Sequence, residues 1–289
     1  MSLSLITASY RRDLESCRLL CDSMDRFVTG YSTHYLVVPR EDVALFAALA
    51  GPKRVIVDED ELLQAGLTQL PIKWKGRTYF WAPWLGRPIF GWHLQQLRKI
   101  AMTLAQPQAR VMHVDSDNCF VRPFDVSRFA SGPVPLFLDP GAVTDARLPD
   151  HATWLRNAHA LLGLQAPVLP GDDYVGQMIV WDRAAVTAMT ERIEAVTGQP
   201  WLRAIARTGT FSEYMLYGAM VANDRALMAR HEIVHESPCL TYWDGAALDG
   251  AALRALAKKL GPGQSAIAVQ SFIGTPVELI RQLALHEAA

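Results

Sequence analysis

The run Arg110-Val-Met-His-Val-Asp115-Ser116-Asp117-Asn-Cys-Phe-Val-Arg-Pro-Phe124 sets an apolar stretch directly ahead of two carboxylates and a second apolar stretch behind them. A short apolar run of this kind reads as a buried strand over Arg110–Val114. In extended backbone, side chains at i and i+2 point to the same side, so Asp115 and Asp117 are expected to face one another. Two carboxylates held together repel unless a positive charge lies between them. A hard divalent cation with oxygen ligands meets that need and can then carry a diphosphate. An exposed acidic turn between two strands is the plain alternative for a bare Asp-x-Asp.

Upstream, short apolar runs alternate with helical patterns. Leu3–Ala8, Tyr35–Pro39 and Arg54–Val57 read as strands, and Asp13–Met24, Glu41–Ala50 and Trp92–Ala105 as helices. Strands separated by helices predict an α/β fold with a mainly parallel central sheet flanked by helices, which binds ligands at the carboxyl ends of its strands. Residues 74–92 hold Trp74, Tyr79, Phe80, Trp81, Trp84, Phe90 and Trp92, with prolines at 83 and 88, so a folded excursion is expected there. Downstream, Met178–Trp181 and Ala266–Phe272 read as strands, and Arg183–Val196, part of Thr210–Asn223, and Asp249–Leu260 as helices. Thr275-Pro-Val-Glu278 matches a capping box opening a terminal helix. One domain over 1–289 is expected, with a nucleotide-binding half over 1–125 and a less regular acceptor half over 126–289.

Composition narrows the function. The chain has 289 residues, 50% hydrophobic and 20% charged, with 28 basic residues against 29 acidic ones. That balance gives no electrostatic footprint for nucleic acid. No run approaches the ~18 apolar residues of a membrane span, and the N-terminus lacks a basic segment before its apolar run, so a cytoplasmic protein is expected. Lys73, Lys75 and Arg77 beside the aromatic excursion suggest peripheral contact with anionic lipid, set against a core-packing role for those rings. Four cysteines form no metal knuckle, and Cys17 and Cys21 lie on an apolar helical stripe, so buried thiols are expected.

The run Val111–Phe124 resembles the Asp-x-Asp region of nucleotide-sugar-dependent glycosyltransferases of the GT-A fold, and the order of motifs is similar to the glycogenin and bacterial lipooligosaccharide galactosyltransferase group. The resemblance implies Asp115 and Asp117 as ligands of Mn²⁺ or Mg²⁺ on the donor diphosphate, Asp115 also touching ribose or donor sugar, with Ser116 between them. It places Thr7, Ser9, Tyr10 and Arg11 or Arg12 at the nucleoside, with Asp58 as a further contact or merely part of a solvated acidic run. It puts Lys99 or Arg98 near the donor, against a solvated helix face. Asp172, Asp173, Gly176 and Gln177 fall on the segment that approaches donor sugar and acceptor. Asp172 or Asp173 would bind sugar hydroxyls or act as base, or else sit in a plain loop. Where glycogenin-like enzymes carry Asp-Gln-Asp, this chain has Ser212-Glu213-Tyr214. Glu213 keeps a carboxylate there, with Asp173 a candidate catalytic base for the acceptor hydroxyl, and Tyr214 offers a sugar-stacking ring, against a packed helix face.

A third metal ligand is expected from His235, with His231 at i, i+4 spacing and Gln270 as alternatives. The resemblance therefore implies a metal-dependent glycosyltransferase. It would take a nucleotide-diphosphate sugar, UDP-sugars favoured, and pass the sugar to a saccharide or lipid-linked glycan acceptor. A non-catalytic carbohydrate binder is the alternative. A haloacid-dehalogenase-type phosphohydrolase fits poorly, because no lysine stands between Lys99 and Lys258.

Overall fold

The computed structural model describes residues 2–63, 66–74 and 77–287. β1 (Leu3–Ala8) is buried along its whole length. A tight turn over Arg11–Asp13 leads into α1 (Leu14–Phe27). That helix lays Leu20 and Met24 on Leu3, Leu5 and Met112, and Cys17 and Cys21 on Leu36 and Val38. All four cysteines are free and buried. β2 (Tyr31–Val38) and β3 (Arg54–Asp58) extend the sheet in parallel. The aromatic excursion is an antiparallel ribbon of β4 (Thr68–Trp74), β5 (Arg77–Trp81) and β6 (Ile89–Phe90), with Phe80, Leu85 and Ile89 buried. Lys75, and the side chains of Lys73 and Arg77, lie outside the described residues.

α2 (Gly91–Ala105) then crosses to β7 (Arg110–His113), which pairs parallel to β1. Past the acidic turn come β8 (Asn118–Phe120), β9 (Val134–Phe137) and β10 (Asp139–Val143), then α3 (Pro149–Leu161) and β11 (Gly171–Asp173). β12 (Ile179–Asp182) lines the far edge of the main sheet, antiparallel to β7, giving the spatial order β12-β7-β1-β2-β3. The remainder comprises α4 (Arg183–Thr197), α5 (Trp201–Arg207), α6 (Glu213–Ala222), β13 (His231–Val234), β14 (Cys239–Tyr242), α7 (Gly250–Ala257), β15 (Ala266–Val269) and α8 (Val277–Gln282). The chain is thus α/β, its central sheet mainly parallel. Among the described residues no helix is long and apolar enough to cross a membrane.

β15 positions the site. It pairs antiparallel with β8, Ala268 opposite Asn118, so the chain beyond it runs back past the acidic turn.

Two expectations are corrected. Residues 41–50 do not form one helix but short turns over Arg40–Asp42, Val43–Phe46 and Ala47–Leu49, where buried Asp42 receives the Arg11 amide and guanidinium. The Thr275 hydroxyl accepts the Leu248 amide at 3.0 Å, so the capping box does not form and α8 begins after Pro276. His231 opens β13, which pairs parallel with β9.

Gly218, in the middle of α6, lets the Tyr174 ring pack against the helix: a Cβ there would stand 2.1–2.5 Å from ring carbons. Glycine to alanine inside a helix ordinarily gains up to ~1 kcal/mol. Here the rigid ring cannot withdraw, and overpacking of ~1–3 kcal/mol outweighs that gain. Gly218→Ala is expected to lower the urea midpoint; a raised midpoint would contradict this packing.

Candidate functional site

The site grows from one buried cation. α2 is enclosed on nearly every side: Leu94, Leu97 and Ile100 are inaccessible, and Gln96, Arg98 and Lys99 are buried too. Lys99 Nζ lies 2.7 Å from Asp115 Oδ1 and 3.0 Å from Glu213 Oε1, and donates to the Tyr214 hydroxyl at 3.0 Å. Burial alone would lower the lysine pKa; the charges of Asp115 and Glu213, with Tyr214, outweigh it and hold the ammonium well above its ordinary value. Burial raises the pKa of Glu213, and Lys99 opposes that rise. Ser212 caps α6 by accepting the Met215 amide, and the Glu213 amide donates to Gln96 Oε1, which locks α6 onto α2.

Asp115 begins a tight turn rather than continuing an extended strand. The Asn118 amide donates back to the Asp115 carbonyl at 3.1 Å, and Asn118 Nδ2 donates to the same carbonyl and to Gln177 Oε1. Ser116 is buried within the turn. Asp117 Oδ1 is closed off from solvent and has no hydrogen-bond partner among the described residues. Burial pushes the Asp117 pKa up to about 7, the charges of Asp115 and Asp13 push the same way, and the Ser271 amide opposes them. Asp13 is raised to about 6, first by burial and then by Asp115, against the Ser271 hydroxyl and Arg12. A cleft of about 150 Å³ opens beside these groups, lined in part by Arg12, Asp13, Asp117, Gln270 and Ser271. Gln270 Nε2 is closed off from solvent and has no partner among the described residues.

The structure therefore brings together Lys99, Asp115, Ser116, Asp117, Gln177, Glu213 and Tyr214. It adds Asp13, Asn118 and Ser271, which were not expected. Asp13 stands only five residues past β1, so the search at strand ends could have found it. Ser271 arrives through the long-range β8–β15 pairing, which no local pattern signals.

Other expectations are corrected. Lys99 does not face a ligand as a free cation but is buried beneath Asp115, and Arg98 is paired with buried Glu59. Thr7 is enclosed, its hydroxyl donating to the Val114 carbonyl and contacting His34 Nε2. Ser9 is buried, Arg11 is held by Asp42, and Asp58 by Arg40. Tyr10 is exposed at the end of β1, and Arg12 is the arginine at the cleft. Asp172 Oδ1 accepts the Gly141 amide, and Asp173 binds His151. Gly176 is buried close to Phe137 and Ile179, too near for a side chain without adjustment. His231 is tied to Tyr217 and the Leu227 carbonyl, and His235 Nδ1 to the Leu138 carbonyl. Among the described residues no three His, Cys, Asp or Glu side chains stand grouped to hold a metal ion.

Fold and site together define an α/β protein with an acidic cleft at the carboxyl ends of its central strands. The chain belongs to the family described as a family of unknown function (DUF6492), which matches residues 1–255. The match takes in Asp13, Lys99, Asp115, Asp117 and Glu213 and stops short of Ser271. No curated protein matches the chain.

The raised Asp117 pKa has a consequence for stability. The folded state holds this proton up to about pH 7, whereas an unfolded aspartate releases it near ~3.9. Between those values the folded state binds more protons than the unfolded one, so this group's contribution to stability falls as pH rises. Asp117→Asn removes the effect. In chelator, the melting-temperature advantage of Asp117→Asn over wild type is expected to grow from pH 4 to about 7 and then level off. A difference independent of pH would contradict the buried, crowded carboxylate.

Proposed function

We propose that the protein transfers a sugar from a nucleotide-diphosphate donor, with UDP-sugars favoured, to a hydroxyl of a saccharide or lipid-linked glycan acceptor. The observation that carries this reading is Asp117: a solvent-closed oxygen without a partner, on a carboxyl raised to about 7 by burial and by two further carboxylates. Such a site is short of positive charge. Lys99 does not supply it, since Asp115 and Glu213 already share its ammonium. The donor set is all hard oxygen, which suits Mn²⁺ or Mg²⁺.

Asp115 and Asp117 would hold the ion, with Asp13 beside them. When bound, the ion neutralises the charge gathering on the departing diphosphate. The chain's own groups do the rest. Lys99 fixes Asp115 in place. Arg12, at the cleft and free of Asp42, is available to a phosphate oxygen. Tyr10, exposed where β1 ends, offers a ring for the nucleobase. The acidic turn lies where ligands bind in open parallel sheets, at the carboxyl ends of the strands. This supports the GT-A-like reading of the fold.

The test is calorimetry of UDP with and without Mn²⁺, alongside UDP release from UDP-sugars. Wild type is expected to bind UDP in a Mn²⁺-dependent manner, and Asp117→Asn to bind at least ~10-fold more weakly. UDP release by the variant should fall by at least ~10³-fold, the loss of several kcal/mol of charge stabilisation. Equal Mn²⁺-dependent binding by both proteins would defeat the proposal. Binding without release would leave a non-catalytic binder.

A further inference from the structure

A second polar group stands apart from the acidic turn, at the end of an aromatic row. The rings of Phe90 and Trp92 lie 6.0 Å apart at 18°, those of Trp92 and Trp154 5.1 Å apart at 35°, and His151 stacks on Trp154 at 4.6 Å and 27°. His151 Nδ1 is 2.8 Å from Asp173 Oδ2, while Asp173 Oδ1 accepts the Val175 amide at 3.0 Å. The carboxylate is therefore held at both oxygens. The carboxylate can only accept, so Nδ1 is the donor in this contact. Nε2 has no protein partner among the described residues and is not closed off from solvent.

The row is tied to the acidic turn through α2. Trp92 begins that helix, and Gln95 Nε2 donates to the Ala8 carbonyl where β1 ends, at 3.1 Å. Gln96 Oε1 then accepts the Glu213 amide, and Lys99 meets Asp115. The aromatic row thus lies at the start of α2, beside the carboxyl end of β1. Trp92 is 38% exposed there, an indole surface against which the C–H face of a sugar ring can pack.

We infer that His151 is the general base that activates the acceptor hydroxyl of a saccharide, with Asp173 as its positioning residue; this rests on the glycosyl-transfer reading above. Nε2 takes the proton of the acceptor O–H, and the oxygen forms a bond to the anomeric carbon. The bond from that carbon to the diphosphate oxygen breaks, its electron pair leaving with the diphosphate, and the proton stays on His151. A dedicated base of this kind serves direct displacement, so an α-linked donor yields a β product. Asp173, itself a candidate base from sequence, has both oxygens occupied and instead fixes the imidazole tautomer, a division of labour known from Ser-His-Asp triads.

The experiment measures Mn²⁺-dependent UDP release from UDP-α-glucose and UDP-α-galactose with water as acceptor. UDP affinity is followed by calorimetry, and the first sugar anomer by proton NMR. Wild type is expected to liberate the β anomer first. His151→Gln should keep UDP affinity and donor KM within about twofold while kcat falls ~10²- to 10⁴-fold, and Asp173→Asn should lower kcat in the same direction. Wild-type kcat in His151→Gln, or an α anomer released first, overturns the base assignment and leaves glycosyl transfer standing. Wild type that releases no UDP overturns the underlying reading and this inference with it. Should His151→Gln lose UDP binding, the wild-type anomer decides alone.

Discussion

The Lys99 ammonium, buried between Asp115, Glu213 and the Tyr214 hydroxyl, is the interaction on which the site depends. A cation removed from water loses several kcal/mol of solvation, and only close opposite charges with good hydrogen bonds restore it. Lys99 has both, which is why it stays protonated where an isolated buried lysine would not. Its three partners come from the end of β7 and the start of α6, so the lysine couples two segments 98 residues apart in sequence. Truncating it would leave two carboxylates buried without their counter-charge, the situation that makes removal of one buried partner so destabilising, ~3–5 kcal/mol in other proteins.

Charge satisfaction stops one residue pair short. Lys99 compensates Asp115 and Glu213, but Asp117 and Asp13 face the cleft with no side-chain cation of the core among their partners. Arg12, the hydrogen bonds of Ser271 and the Asp117 amide oppose their repulsion. Folding forces this crowding. β8 and β15 pair antiparallel, the chain after β15 must pass the turn, and the turn must close onto Asn118 and Gln177. Proteins tolerate such local frustration chiefly at functional sites, where a ligand relieves it.

Much of this was legible in the sequence. Leu3–Ala8, Arg54–Val57 and Arg110–Val114 are apolar runs bounded by polar residues, and each forms a parallel strand within a residue of its expected limits. Asp115 and Asp117 stood out because carboxylates directly after a buried strand require an explanation. The β-branched Ile233 and Val234 between His231 and His235 favour the strand that pairs with Val134–Phe137. Thr275-Pro-Val-Glu278 has the letters of a capping box, yet a tertiary partner, the Leu248 amide, takes the threonine hydroxyl. A solvated helix face was the alternative for Lys99 because periodicity cannot reveal that α6 covers that face. The His151–Asp173 pair joins residues 22 apart, neither of which carries a local signature of the other.

The central claim is that Asp115 and Asp117, at the acidic turn, hold a divalent ion against a nucleotide diphosphate. Crystals grown with MnCl₂ and UDP test it most directly, through an anomalous difference map at the manganese edge. The account predicts one strong peak in contact with the carboxylates of Asp115 and Asp117, with diphosphate oxygens completing its shell. A peak bound only elsewhere, or UDP seated away from the Asp115–Asn118 turn, would contradict it.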